Sequence, residues 1–336
     1  MLTILSCKGE PIPKKSKKLK KPILRIAVVE DFRGVALPKV MFAEFEKTNN
    51  VVVEVEAFED HFSLFQEVKS QETNYDVVMG IDESFRNTFL RTKIFLRYQP
   101  ADIKTIPRRH RFDRGGYLTP YSFSFVTILV NDIEVDPVPQ TLGEIQENLY
   151  KNQIIFPNPH ATALGKIFYA KTIARFSLGG HTHFWTSIRQ NIRTIQLGER
   201  KSYNMLLARE GSIIIGYNTY AHFTNSKNSK VKLTPVYFDD FYTIQHFASA
   251  ICSNSDKTEV AKSFVDYTIT ENFQNQVADI LWKYPVLESA SLPDEFKVLK
   301  ASTSKDAVSF NYIVARVDAY YRNYSFLFKE LLRRKK

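Results

Sequence analysis

Between positions 23 and 82 the chain alternates short apolar runs with amphipathic stretches, and this alternation constrains the fold more than any other feature. Ile23-Leu24-Arg25-Ile26-Ala27-Val28-Val29 reads as a first strand, 51–58 alternates strongly enough for a second, and 75–82 forms a third that closes on Gly80-Ile81-Asp82. Helical patterns lie between them, at 38–47 with Val40, Met41, Phe42 and Phe45 inward, and at 62–69. Parallel strands need a crossover, and a helix both supplies it and covers the sheet, so this spacing is a parallel α/β unit. At 336 residues, 44% hydrophobic and 13% aromatic, the chain exceeds one ordinary core, and two domains or lobes are expected.

A second constraint is the stretch 211–223. Ser212 to Ile215 is a β-branched apolar run, Gly216 breaks it, and Tyr217-Asn218-Thr219-Tyr220 follows, so the segment reads as strand, tight turn, then helix. In an open α/β sheet such turns lie at the carboxyl ends of strands, where ligands bind. Asn218 or Thr219 can cap the helix or leave its amides to an anion. Asn158-Pro159-His160-Ala161-Thr162-Ala163-Leu164-Gly165 is another turn before a helix. Asp60, Gly80, Thr162 and Tyr217 therefore each follow a strand; Asp60 and Thr162 have helix capping as their alternative role.

The remaining elements follow in order. A helix is expected near 85–92, then a basic loop, Arg108-Arg109-His110-Arg111, then an apolar and aromatic run at 121–130 long enough to pass between lobes. Helix 140–150, strand 153–156, a helix to about Arg175, helix 184–191 and strand 194–197 come next. His181 and His183 fall in a glycine-preceded loop and read as solvated. A strand at 231–238 and amphipathic helices at 259–270, 271–279 and 307–332 complete the pass, with Tyr284-Pro285-Val286 breaking the run.

The formal charge of +10 is concentrated at the ends, with six lysines between Lys14 and Lys21 and four basic residues from Arg333 to Lys336. Without an RNA-binding signature this does not indicate nucleic acid. Residues 8–22 read as a linker, whose lysines act as a solvated spacer or as a contact with anionic lipid head groups. Ile4-Leu5-Ser6-Cys7 is similar to a bacterial lipobox, in which the cysteine is lipidated. Only six residues precede Cys7, so 1–22 is read as a truncated signal and basic linker, with the precursor starting upstream of Met1. Cys252, placed on a late helix, is not expected to pair with it. No run of 18 apolar residues is present, nor a Gly-rich phosphate loop, nucleophile elbow or zinc motif, so the reading is of a binding protein rather than an enzyme, with no metal or cofactor.

From about residue 23 to 335 the chain resembles the thiamine-binding periplasmic proteins of bacterial ABC importers. The resemblance rests on Glu59-Asp60 with Ser63-Leu64, Asp76 to Asp82, Asn158-Pro159 with Thr162 and Gly165, Gly216-Tyr217-Asn218-Thr219, Phe273-Gln274-Asn275, and Trp282-Lys283-Tyr284-Pro285-Val286, in that order. It implies a two-lobed α/β fold, the class II periplasmic-binding-protein fold. Each lobe is a mixed, mostly parallel sheet flanked by helices, and two crossing strands near 121–125 and 237–242 join them. Lobe 1 would comprise 23–122 with 240–283, and lobe 2 123–239 with 284–336. The implied ligand is thiamine or a thiamine phosphate held in the cleft by Asp60, His61, Thr162, Ala163, Glu199, Tyr217, Asn218, Thr219, Tyr220 and Trp282. The implied partners are an ABC permease and its ATPase, reached by a monomer lipid-anchored through Cys7 at the periplasmic face of the cytoplasmic membrane.

The chain departs from the family's pattern at four places. Glu199 follows Gly198 where a stacking tryptophan is usual, His61 replaces a glycine, Val29 a tyrosine and Tyr220 a serine. Glu199 is expected to favour an unphosphorylated cation. The alternative within the same fold is a ferric-ion or other small-solute binder using Tyr217, Tyr220, Glu199 and His61.

Overall fold

A computed structural model describes residues 21–29, 39–70, 74–227, 230–237 and 243–300. Cys7, the lysine run to position 20, the expected helix at 307–332 and most of the second expected crossing, 238–242, lie outside the described residues.

The alternation read at the start of the chain builds the first half of the sheet. Strands β1 (Ile23–Val29), β2 (Val52–Phe58) and β3 (Val77–Asp82) are parallel, with β1 between the other two. A 3-10 turn, Lys39–Phe42, leads into α1 (Ala43–Asn49), and α2 (His61–Ser70) makes the next crossover. Met41, Phe42 and Phe45 are buried as expected, but Val40 is 62% exposed, because the tighter 3-10 turn changes the phase of the helical face. Helix α3 (Arg86–Leu90), strand β4 (Phe95–Leu96) and 3-10 turns Ala101–Thr105 and Arg108–His110 then lead to β5 (Thr119–Asn131).

Beyond β5 the expected helix at 140–150 is replaced by two 3-10 turns, Glu144–Gln146 and Asn148–Tyr150. Leu142 and Ile145 are buried, but Leu149, which would continue an α-helical stripe, is 55% exposed. Strand β6 (Ile154–Pro157) precedes α4 (Ala163–Ile188), one continuous helix of 26 residues. It runs through Gly179-Gly180, so His181 and His183 are helical rather than in a loop. The glycines cost roughly 1 kcal/mol each relative to alanine. Burial of His181, Phe184 and Trp185 on the following turns offsets that cost.

Then come β7 (Ile192–Gln196), α5 (Glu199–Leu207), β8 (Ile213–Tyr217), α6 (Thr219–Lys227) and β9 (Leu233–Val236). Strand β10 (Thr243–Cys252) is central to the sheet and was not legible in the sequence; Cys252, expected on a helix, ends it as a buried free thiol. Helices α7 (Thr258–Tyr267) and α8 (Glu271–Gln276), a π turn Val277–Leu281, β11 (Tyr284–Pro285) and α9 (Asp294–Lys300) complete the described chain.

The strands form one curled mixed sheet in the order β2-β1-β3-β10-β5-β8-β6-β7. Strand β5 belongs to both halves: residues 119–126 pair antiparallel with β10, and 126–130 pair antiparallel with β8. All thirteen β5 residues are buried, which explains its continuous apolar and aromatic character. The changeover at Val126 leaves β2 and β3 on one side and β6, β7 and β8 on the other.

Candidate ligand cleft

Helices α2, α4, α5 and α6 all begin just after parallel strands, and their first turns carry the site residues. Asp60 Oδ1 accepts from Ser63 N at 2.7 Å, capping α2. Thr162 Oγ1 accepts from Gly165 N at 3.1 Å and donates to Asn158 O at 2.9 Å, so it caps α4. At Gly165 the helix lies so close to β6 that an added Cβ would stand 2.2 Å from Pro157 O. Ala163, fully buried, packs in one apolar cluster with Ala27, Val78 and Ile81 of the opposite half. A second meeting point is Gly198, where a Cβ would lie 3.1 Å from Glu59 Oε1. The helix starts of the two halves therefore touch.

Between them lies a buried polar group of residues. His61 Nε2 is 3.1 Å from Gly80 O, and its ring stacks on Phe85 at 4.7 Å. Burial, and then the charges of Lys166 and Lys283, lower its pKa to about 4, so at neutral pH it is an uncharged donor to that carbonyl. Asp82 is fully buried; Oδ1 accepts from Ser84 N at 2.8 Å and from Phe85 N at 3.2 Å, while Oδ2 accepts from Gln245 Nε2. Burial pushes its pKa up to about 7. Tyr217 is buried, edge-on to Tyr220 at 5.2 Å, and its phenol is held well above the ordinary range, by burial first and then by the negative charges of Glu199 and Asp82.

Two lysines enter this interior. Lys166 is 3% exposed with Nζ 4.3 Å from the centroid of the Phe85 ring. Lys283 Nζ lies 4.5 Å from the Tyr217 centroid and 4.0 Å from that of Phe247. Ammonium groups on ring faces are attracted by the ring quadrupole.

Residues 72–312 match the family described as bacterial extracellular solute-binding protein. The chain belongs to that family. This solute-binding protein is 22% identical over 309 residues to the thiamine-binding periplasmic protein of Escherichia coli (strain K12), covering 89% of this chain and 90% of that protein. It is 23% identical over 310 residues, with the same coverage, to the thiamine-binding periplasmic protein of Salmonella typhimurium (strain LT2). Among solved structures, a periplasmic thiamin binding protein superposes with a TM-score of 0.76 at 18% identity, over 92% of this chain and 99% of that one. The apo ferric ion-binding protein A of Pasteurella haemolytica superposes with a TM-score of 0.75 at 16% identity, over 92% and 97%. The fold is the two-lobed α/β fold of periplasmic binding proteins, whose family binds solutes rather than transforming them.

In this solute-binding protein His61, Ala163, Glu199 and Tyr217 lie where the two halves meet. Other expected site residues have structural bonds. Asn218 Nδ2 donates to Tyr284 Oη at 3.1 Å, and Thr219 Oγ1 donates to Trp282 O at 2.7 Å. The Trp282 ring lies face to face on Phe223 at 3.8 Å, while the neighbouring Lys283 reaches Tyr217. Sequence reasoning missed Lys166, Lys283, Asp82 and Gln245. The spacing of Lys166, four residues after Thr162, was the available signal for the first. Among the described residues no helix is long and apolar enough to cross a membrane, and no three His, Cys, Asp or Glu side chains are grouped to hold a metal ion.

Proposed function

We propose that this protein is the extracytoplasmic solute-binding component of an ABC importer, and that its cleft captures a phosphorylated thiamine-like solute for a permease and its ATPase. The observation that carries this reading is the convergence of aromatic faces with two ammonium groups between the halves. Phe85 and Tyr217 carry Lys166 and Lys283 on their faces, and those ammonium groups are suited to a phosphate. Glu199 supplies negative charge for the heterocycle's amine or cationic ring. The sequence reading left thiamine and its phosphates open, with Glu199 favouring the unphosphorylated cation; the two lysines turn our reading towards the phosphate. Closure follows from the same contacts, because a ligand that touches both halves binds the closed form more tightly than the open one. The chain acts as a monomer anchored through lipidated Cys7; membrane association persisting in Cys7→Ser would remove that part of the reading.

Ferric iron is the competing solute of this fold. A raised Tyr217 phenol resists forming the tyrosinate that iron requires, and the Lys283 ammonium beside it opposes a second cation. Visible colour on adding ferric salt would reverse this preference.

The deciding experiment is titration of intrinsic tryptophan fluorescence with thiamine, its monophosphate and its diphosphate. Trp185 is packed among Phe156, Phe168 and Phe184, so Trp282 should report closure. We expect saturable change with the phosphates, at least about tenfold tighter than with thiamine, as charge-assisted hydrogen bonds of this kind provide. No response to any of the three would remove the thiamine reading and leave the solute class open.

A further inference from the structure

Apart from the cleft, the first half contains a cavity of about 280 Å³ between the 3-10 turns and the start of β5. Arg108, Arg111 and Arg114 line it, with Thr119 and Pro120 of β5 at its base. None of the cleft residues named above contributes to it. Three guanidinium groups from seven consecutive residues repel one another unless an anion lies between them.

The residues around the three arginines have partners of their own. Asp113 also lines the cavity, but its charge is offset by Arg86, which donates from Nε at 3.1 Å, and its oxygens accept from the amides of Gly115, Tyr117 and Leu118 at 3.0, 2.8 and 3.0 Å. Those bonds hold its pKa below the ordinary carboxylate range despite burial. Arg109, the remaining arginine of the basic loop, is paired with Glu288. Gly116, at φ +76°, accepts from Tyr98 N at 2.8 Å and brings the loop beside the Arg97 guanidinium. His110 fixes the loop from behind, with Nδ1 3.0 Å from His246 Nε2 on β10. Arg111 Nε is buried and has no hydrogen-bond partner among the described residues. A buried, unpartnered donor on a cavity-lining cation is an unmet demand for an acceptor.

We propose that Arg108, Arg111 and Arg114 form a second ligand site that takes a small phosphate-class anion, inorganic phosphate or pyrophosphate in size. The planar guanidinium fork matches phosphate oxygens two at a time, and the cavity is smaller than the roughly 300–1,000 Å³ of sites for larger organic ligands. This inference is independent of the solute bound in the cleft.

Calorimetric titration of the full chain with pyrophosphate and with phosphate, at low ionic strength, tests it. We expect one saturable event that Arg111→Gln weakens at least about tenfold, as loss of a charge-assisted bidentate contact should. Arg109→Gln, which removes a neighbouring arginine with its own partner, should leave it unchanged. Should Arg111→Gln fail to fold, the double variant of the exposed Arg108 and Arg114 to Gln gives the same readout. Lys166→Gln distinguishes the two locations. Binding lost there but retained in the arginine variants would place the anion in the cleft and overturn the proposal, as would the absence of saturable binding or equal weakening in Arg109→Gln.

Discussion

Lys166 and Phe85 meet between the two halves, with the ammonium group 4.3 Å from the ring centroid, and this pair joins the first turn of α4 to the turn before α3. The ring is also the one on which His61 stacks at 4.7 Å. Replacing Lys166 with Gln removes a positive charge that opposes protonation of His61. The His61 midpoint should therefore rise from about 4, yet remain below the ordinary 6.5, because burial is the larger cause. Histidine NMR titration reads this directly, and an unchanged midpoint would show that the two groups do not interact. The same variant should weaken binding of a phosphorylated solute about tenfold.

Asp82 makes stability depend on pH in a direction opposite to that of an ordinary carboxylate. Its folded pKa of about 7 exceeds the ordinary aspartate value of 3.8, so the folded state holds a proton that the unfolded chain has released. This contribution is complete below about pH 4 and is lost as the pH rises through 7, a change on the order of 4 kcal/mol. His61 and His181, both lowered to about 4, act the other way and cost stability as the pH falls from 6.5 towards 4. Asp82→Asn isolates the carboxylate, since its amide can still accept from Ser84 and Phe85 and can donate to the buried Gln245 Oε1. Urea unfolding of the two proteins from about pH 5 to 8 should show the variant gaining steadily on the parent. A difference independent of pH would refute the assignment.

The parts of the fold legible in the sequence are those where burial and hydrophobicity coincide. Strands β1 to β3, β6 and β8 are apolar runs closed by turns, and the helix starts after Asp60, Thr162 and Asn218 follow from them. Strand β10 was missed because it carries Gln245, His246 and Ser249 through the core. Their polarity is answered by partners distant in sequence: Gln245 by Asp82, His246 by Glu83 and Ser249 by the Thr119 carbonyl. Lys166 and Lys283 escaped notice for the same reason, since a lysine in a pattern reads as solvent-facing until a ring face accounts for its burial. The glycine pair at 179 and 180 misled in the opposite sense, because packing on the next turn outweighs its propensity.

Gly165 and Gly179 lie in the same helix and should respond to alanine with opposite signs. At Gly165 the new Cβ would stand 2.2 Å from Pro157 O and 2.8 Å from backbone carbons, none of which can rotate away. Gly165→Ala should destabilise by about 2 kcal/mol or more, as overpacking against rigid atoms does. At Gly179 nothing lies within 4 Å, and Gly179→Ala should stabilise by roughly 0.5–1 kcal/mol through helix propensity alone. Chemical unfolding of both variants checks the pair, and destabilisation at Gly179 would mean that α4 is not continuous there.

Glu59 and Gly198 provide a test of the contact between halves that needs no ligand. Gly198 has φ −120° and ψ 148°, an extended conformation that any side chain adopts, so substitution carries no backbone strain. What a side chain would meet is Glu59, with Oε1 at 3.1 Å and Cγ at 3.2 Å from the new Cβ. Alanine asks only that the carboxylate move aside. Valine, with a branched Cβ stiff about χ1, also displaces the stem, and Gly198→Val should cost about 1–3 kcal/mol. Truncating the opposing side chain removes the obstacle, so the double variant with Glu59→Ala should recover most of that loss. A double-mutant cycle of unfolding free energies measures the coupling. A Gly198→Val defect that persists unchanged with Glu59→Ala would mean that the two halves do not meet at this point in solution.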